Sequence, residues 1–295
     1  MKRILITGAN SYIGTSFEKW VAQWPEDYQV ETVGTRNGEW KELDFSPYDV
    51  VFHVAGIAHQ DAKADQEELY YKVNRDLTIE VAKKAKSEGV KQFIFMSSMI
   101  VYGASSKIGE TKVITRDTVP EPINFYGNSK LQAEQGILPL QSEGFNVVVI
   151  RPPMIYGKDS KGNYPLLAKF AKITPVFPDI ENKRSMLHID NLCEFIKIMI
   201  DNVELGLFFP QNKEYVKTSE LVKTIGEVHG KKIWMTKLFN PVLRLMFGIE
   251  LVNKIFGNLV YEKSISKCNY DYQLVGLKES IKSTEGKNCT DELMI

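Results

Sequence analysis

Through the first half of the chain, short runs of Val, Ile, Leu and Phe alternate with longer stretches whose apolar residues recur every three or four positions. Residues 3–7, 29–34, 50–54, 92–97 and 146–151 read as strands. None of them alternates cleanly between apolar and polar, which is the pattern of strands covered on both faces. Residues 13–24, 69–87 and 127–142 have helical spacing. Strands separated by such helices predict an α/β fold, a doubly wound parallel sheet of the Rossmann type with helices on both faces.

The pattern changes after Arg151-Pro152-Pro153. Turn clusters such as Lys158-Asp159-Ser160-Lys161-Gly162-Asn163 then mix with short helices and a few strands, so a smaller α/β region is expected over 158–295, behind a first domain spanning 1–157. That boundary is soft, because segments of chains of this type can interleave. Residues 233–261 are strongly apolar but carry Lys237, Arg244, Glu250 and Lys254. An amphipathic pair packed on the second region is the favoured reading, and a helix lying on a membrane is the alternative.

Composition narrows the field. The 295 residues carry 37 Lys and Arg against 37 Asp and Glu, so no global charge draws the protein to nucleic acid. Hydrophobic and charged contents of 43% and 25% are those of a globular protein. Cys193, Cys268 and Cys289 are far apart, have no metal-ligand spacing, and suit a reducing cytoplasm. No metal is expected. The apolar run after Met1-Lys2-Arg3 is too short for a signal peptide, and no segment has the length to span a bilayer. Without export, Asn288-Cys289-Thr290 reads as an accidental glycosylation pattern.

Thr7-Gly8-Ala9-Asn10-Ser11-Tyr12-Ile13-Gly14 follows the first strand and opens the first helix. Glycine there lets the backbone approach a ligand closely, and the helix N-terminus offers N–H groups to a pyrophosphate. The region to 157 is thus expected to bind a dinucleotide and the remainder to bind substrate. At the tip of the second strand, Gly34-Thr35-Arg36, no carboxylate is available for a ribose 2′-hydroxyl, since Glu31 lies within the strand. This favours NADP over NAD, with Arg36 either at the 2′-phosphate or simply exposed.

Tyr126 and Lys130 fall four apart, on one face of a helix. A phenol titrates near 10 and is a poor base at neutral pH, but an adjacent ammonium and an oxidised nicotinamide would favour the phenolate. Upstream, Ser97-Ser98 end the strand at 92–97, where open α/β sheets bind ligands.

These residues, taken in order over about the first 190 positions, resemble an extended short-chain dehydrogenase/reductase. The branch is that of the NAD-dependent epimerases and dehydratases acting on nucleotide sugars. The matching elements are the Thr-Gly loop, Asp44, Asp49-Val50-Val51-Phe52-His53-Val54-Ala55-Gly56, Asn74, the Ser-Ser…Tyr-Gly strand end, Tyr126-x-x-x-Lys130, Arg151-Pro152-Pro153-Met154-Ile155-Tyr156-Gly157 and Arg184-Ser185-Met186-Leu187-His188-Ile189-Asp190. The resemblance implies that Tyr126 is the acid/base, that Lys130 lowers its pKa and holds the nicotinamide ribose, and that Ser98 orients the reacting oxygen. It implies that Gly8, Asn10, Ser11, Tyr12, Ile13 and Gly14 form the pyrophosphate loop, that Asp44 meets the adenine, and that Ala55, Gly56 and Asn74 line the cofactor path. Asn163 and Arg184 would hold the substrate, Arg184 at its diphosphate.

Ser11 stands where the family loop usually has a middle glycine, and Gly34 where an NAD-retaining epimerase commonly has an acid. The expected activity is therefore hydride transfer at hexose C4 of a nucleotide sugar, UDP-linked by preference, with a slight lean to a 4-keto-sugar reductase over a 4-epimerase. Dehydration ranks third, because Met99 rather than an acid follows Ser98. A catalytically silent dinucleotide-binding regulator is the rival from another class, although Tyr, Lys and Ser are all present. A homodimer is compatible with the sequence. His53 and His188 sit in apolar runs and read as core residues, His229 as surface, and His59 as either cleft or loop.

Overall fold

The computed structural model describes residues 1–58, 64–246 and 249–286. In chain order the first elements are β1 (Lys2–Thr7), α1 (Tyr12–Val21), β2 (Tyr28–Val33), α2 (Glu39–Glu42), β3 (Val50–His53), α3 (Glu67–Tyr70), a π-helical turn (Tyr71–Asp76), α4 (Leu77–Ser87) and β4 (Gln92–Met96). Next come β5 (Val113–Ile114), α5 (Phe125–Ile137), β6 (Asn146–Ile150), β7 (Met154–Tyr156), α6 (Asn163–Ile173), β8 (Val176–Pro178), β9 (Met186–His188), α7 (Ile189–Asp201) and β10 (Gly206–Phe208). The last are α8 (Thr218–Val228), β11 (Trp234–Thr236), α9 (Asn240–Leu245), α10 (Glu250–Phe256), β12 (Val260–Tyr261) and α11 (Leu277–Thr284).

Two compact units divide the chain, each made of segments that alternate along the sequence. The first takes Met1–Gly103, Val119–Pro152 and Leu192–Pro210; the second takes Ala104–Thr118, Pro153–Asn191 and Gln211–Ile295. Passage into the long second segment falls at Pro152–Pro153, and α7 then carries the chain back so that β10 can close the sheet beside β6.

The first unit holds a six-stranded, all-parallel sheet ordered β10-β6-β4-β3-β1-β2. The order reverses between β1 and β3, which is where open α/β sheets leave a crevice at the strand ends. Because strand side chains alternate, Leu5, Val51, Phe93, Phe95, Val147 and Val149 share one face. They pack with Val81, Ala82 and Ala85 of α4 and Ala133 and Ile137 of α5. Ile4, Ile6, Phe52, Ile94, Val148 and Ile150 point to the other face and are fully buried too, with the Phe17 ring of α1 edge-on to Phe52 at 5.4 Å. Both faces of the central strands are covered, so those strands are apolar through their middle positions, while the edge strand β2 carries exposed Gln29, Glu31 and Thr32.

His53 is a core residue, as its surroundings in the sequence suggest. Its ring bridges Thr7 Oγ1 (2.7 Å) and Thr78 Oγ1 (3.0 Å), and burial together with the Lys130 charge pulls its pKa down to about 3. His59 and Cys289 lie outside the described residues, while Cys193 is buried and Cys268 half-buried, with no disulfide between them.

The second unit is organised around short parallel pairs, β7 with β9, β8 with β11 and β5 with β12. Its core joins Tyr156, Leu167, Met186, Leu221, Ile225 and Ile281 among others. His188 is buried there, its backbone N–H held by Asn212 Oδ1 at 3.0 Å, and His229 pairs with Glu285 at 2.6 Å. No described helix is long and apolar enough to cross a membrane.

Candidate active site

The glycine loop sits where the sheet order reverses. Gly8 has φ of +121°, and a Cβ on it would lie 2.6 Å from the backbone nitrogen of Ala55, so both conformation and space require glycine. At Gly14 a Cβ would meet Ser11 Oγ at 2.5 Å and Ile6 Cγ2 at 3.1 Å, which lets α1 press against β1. Asn10 takes the left-handed conformation (φ +62°), one of the few residue types that tolerates it. Ser11 is extended (φ −71°, ψ 142°), a conformation that needs no glycine, and its hydroxyl accepts the Gly14 N–H at 3.1 Å as the helix N-cap. The departure at Ser11 therefore serves the helix. Tyr12 and Ile13 open α1, whose first-turn N–H groups have no partner within the helix. The glycine turn packs tightly on the β3 end and leads into the N-terminus of α1, whose backbone N–H groups fit a pyrophosphate.

Beyond β2, the crossover to β3 contains only the four-residue α2 among its helices and strands, and this short path brings Glu39 back to the strand tip. A Cβ on Gly34 would lie 3.8 Å from Glu39 Oε2. Glu31, by contrast, accepts from the Tyr48 hydroxyl, and burial and that contact push the Tyr48 phenol up to about 12. Arg36 is exposed next to the same tip. Asp44 is exposed and accepts from the Ser46 N–H (2.9 Å) and hydroxyl (3.0 Å), contacts that hold its carboxyl below its ordinary pKa. Glu39 was missed in the sequence because the acid was sought at the tip itself and not five residues on.

Ser98, Tyr126 and Lys130 come together at the carboxyl ends of β3 and β4. Asn124 caps α5 by accepting the Gly127 N–H at 2.8 Å, and close packing at Gly127 seats the helix start, since a Cβ there would lie 2.9 Å from the Ile100 carbonyl. Burial pushes the Tyr126 phenol up to about 12, a hydrogen bond with Ser98 lowers it and the neighbouring Tyr70 raises it. The expected effect of Lys130 is not among these influences. Its ammonium donates to the Met96 carbonyl at 2.8 Å and lies 4.7 Å from the Phe95 ring centroid, and burial pulls its pKa down to about 8. Burial is thus the largest influence on the phenol, and it opposes the ionised form.

Ala55 and Gly56 pass close to this group. A Cβ on Gly56 would stand 3.1 Å from Asn74 Oδ1 and 3.2 Å from Lys130 Nζ. The buried Asn74 amide accepts the Ile57 N–H (2.8 Å) and donates to the Ile57 carbonyl and Ser129 Oγ (both 3.1 Å). It therefore positions the loop after β3 against α5, from within a π-helical turn of the kind that collects at functional sites. Ser97 turns the other way, donating to Glu134, which also accepts from Arg151 Nε at 3.0 Å; Arg151 in turn donates to the Tyr102 hydroxyl at 2.6 Å. This buried cluster was not foreseen. The one signal for it was Glu134 lying a helical turn beyond Lys130.

In the second unit, Arg184 is a cation with only neutral partners among the described residues. It donates to Ser105 Oγ (3.3 Å) and the Gly257 carbonyl (3.1 Å), and burial pulls its pKa down to about 10. Asn163 is half-buried at the first position of α6.

A parallel sheet of this order, with a glycine turn feeding a helix N-terminus at its reversal point, defines the Rossmann-type class of dinucleotide-binding enzymes. Within that class the chain belongs to the NAD dependent epimerase/dehydratase family, whose sequence model matches residues 4–208. Its cofactor is a nicotinamide dinucleotide. Over 90% of its length the chain is 32% identical to a UDP-glucose 4-epimerase of Vibrio cholerae, covering 89% of that protein. It is also 28% identical to the N-acetyl-α-D-glucosaminyl-diphospho-ditrans,octacis-undecaprenol 4-epimerase of Escherichia coli O157:H7, over 86% of this chain and 81% of the relative. The crystal structure of a UDP-glucuronic acid 4-epimerase from Bacillus cereus with NAD shares the fold, with a TM-score of 0.72, 17% identity, and coverage of 97% of this chain and 96% of that one.

Proposed function

We propose that the protein interconverts C4 epimers of a hexose carried on a diphosphate, a UDP-sugar in the first instance, while retaining NAD. The observation that carries the chemistry is the buried Tyr126 phenol under the influence of the Ser98 hydroxyl, with the Lys130 ammonium held at the Met96 carbonyl (2.8 Å) beside Gly56 at the strand ends. When bound, the nicotinamide supplies a reversible hydride acceptor. Ser98 holds the hydroxyl at the reacting carbon, and Tyr126 takes or returns its proton. Arg184 would offer the substrate diphosphate a guanidinium whose partners among the described residues are neutral.

The lean from reductase to epimerase comes from the adenosine end. The missing acid at Gly34 favoured NADP, but Glu39 brings a carboxylate to that same spot and suits the 2′-hydroxyl of NAD. Two relatives that align over most of this chain are 4-epimerases by name. One acts on a nucleotide-linked and one on a polyprenyl-linked sugar, and the diphosphate is the element they share. A ketoreductase drawing on NADPH is the second reading, favoured by the exposed Arg36 beside the tip.

The test is to release and weigh the dinucleotide from the purified protein, then follow UDP-glucose and UDP-N-acetylglucosamine by NMR. Bound NAD and a C4 epimer with no net cofactor consumption are expected. A protein that needs added NADPH and consumes it in step with product would establish the reductase.

A further inference from the structure

Residues 233–261 divide in the structure. Ile233, Val252 and Phe256 are buried in the core of the second unit, with Leu243 and Ile255 packed against it. The remainder turns outward. Trp234, Leu238, Val242 and Leu245 are 68%, 79%, 58% and 79% exposed, and Phe239 and Ile249 are exposed as well. Val242 and Leu245 lie three positions apart on one side of α9, and Leu238 stands in the turn that leads into that helix. In the β8–β11 pair, Trp234 is the register partner of Val176, so the two share a face, and Val176 is exposed too. Scattered apolar residues on a surface are ordinary, but a gathered patch marks a contact.

The charges around the patch say with what. Along the chain between 231 and 249 stand Lys231, Lys232, Lys237 and Arg244 and not one Asp or Glu, although the charges of the whole chain cancel. Lys232 and Lys237 are exposed, and the Lys232 ammonium sits 5.7 Å from the Trp234 ring centroid. A second copy meeting this face about a two-fold axis would set lysine against lysine. An anionic lipid surface satisfies both features at once. Leucine and tryptophan side chains enter the boundary between headgroups and acyl chains while the ammonium groups stay at the phosphates.

We propose that the face formed by Trp234, Leu238, Val242 and Leu245, with Lys232 and Lys237, docks the protein peripherally on an anionic bilayer. Leucine and tryptophan supply the depth of insertion and the lysines the preference for acidic lipid.

Flotation of the full-length protein with vesicles tests this. The protein should float with phosphatidylcholine vesicles containing phosphatidylglycerol and bind at least about tenfold less to phosphatidylcholine alone, because anionic lipid attracts each nearby lysine. The Leu238→Asp/Leu245→Asp variant should lose at least about tenfold in binding to the acidic vesicles, as two exposed side chains no longer enter the apolar layer. Both positions are exposed, so its melting temperature and solution mass should match those of the parent. Failure to float with acidic vesicles, or equal flotation of the variant, overturns the proposal. So does a parent oligomer that the variant dissociates, which would make the patch a contact between copies.

Discussion

Ser97 and Ser98 leave the same strand end for two unlike settings. Ser97 joins a closed cluster in which the Glu134 carboxylate is gripped by Arg151 from two sides and Arg151 passes on to Tyr102. Ser98 meets the Tyr126 phenol, and the nearby Lys130 ammonium has a backbone carbonyl for its partner. Successive strand residues point to opposite sides, so one step along the chain separates the two settings. Helix α5 serves both, with Lys130 and Glu134 one turn apart. The buried charge of Glu134 is matched by Arg151 in the closed cluster, whereas the Lys130 ammonium has a neutral carbonyl for its partner.

The sharpest break between the settings is expected at Tyr126. Tyr126→Phe should slow turnover about 10³-fold, the usual scale for losing a positioned acid/base. The melting temperature should hold, because the hydroxyl it removes faces the half-buried Ser98. Steady-state rates and a thermal melt on one preparation check both halves. A large loss of stability with activity retained would put Tyr126 in the closed set.

Glu134→Ala should do the reverse. Stranding a buried Arg151 without its partner costs about 3–5 kcal/mol of stability, read from the urea midpoint. Adding Arg151→Met should recover part of that loss, since the orphaned charge then goes too. Ser98→Ala should stay within about 1 kcal/mol of the parent.

What the chain disclosed by itself follows the same division. Residue periodicity is local, so five of the six sheet strands, the helix of Tyr126 and the helix that follows the Gly8 turn were legible to within a residue or two at most ends. The spacing of Tyr126 and Lys130 lies within one helix and was equally plain. β10 was not, because three half-buried residues, Gly206–Phe208, carry no pattern, and only pairing with β6 makes them a strand. The grip of Arg151 on Glu134 spans 17 positions and needs the sheet to bring it about. Where the lysine ammonium comes to rest was hidden for a related reason. Spacing puts Lys130 on the right face, but the Met96 carbonyl decides where its ammonium ends.

A smaller effect belongs to the closed kind of site at His53. Its ring is held neutral between two threonine hydroxyls, with its pKa pulled from 6.5 to about 3 by burial. The unfolded chain therefore takes up a proton below pH 6.5 that the folded chain refuses. The stability contributed is complete above that pH and drains away as pH falls towards 3, reaching about 2 kcal/mol by pH 5. Urea midpoints between pH 7 and 5 should fall accordingly, and a His53→Asn variant, though weaker overall, should show a flatter profile. An equally steep profile in the variant would move the acid sensitivity elsewhere.

The smallest expected effect decides the most about cofactor choice, at Glu39 and Arg36. Glu39 approaches the β2 tip from a four-residue helix and not from the strand, and no buried contact fixes it there. One charge-assisted hydrogen bond to a ribose hydroxyl is worth about 1.5 kcal/mol at an exposed site, or about tenfold in affinity. Glu39→Gln should therefore weaken NAD binding by about that factor while leaving NADP unharmed, since the carboxylate it removes would repel a 2′-phosphate. Arg36→Ala should leave NAD binding unchanged. Titrations of both dinucleotides against each variant, followed by calorimetry and so independent of turnover, distinguish the residues. If Arg36→Ala instead costs NADP tenfold and Glu39→Gln costs NAD nothing, the strand tip is built for a phosphate, and the open setting at Ser98 and Tyr126 serves a reductase.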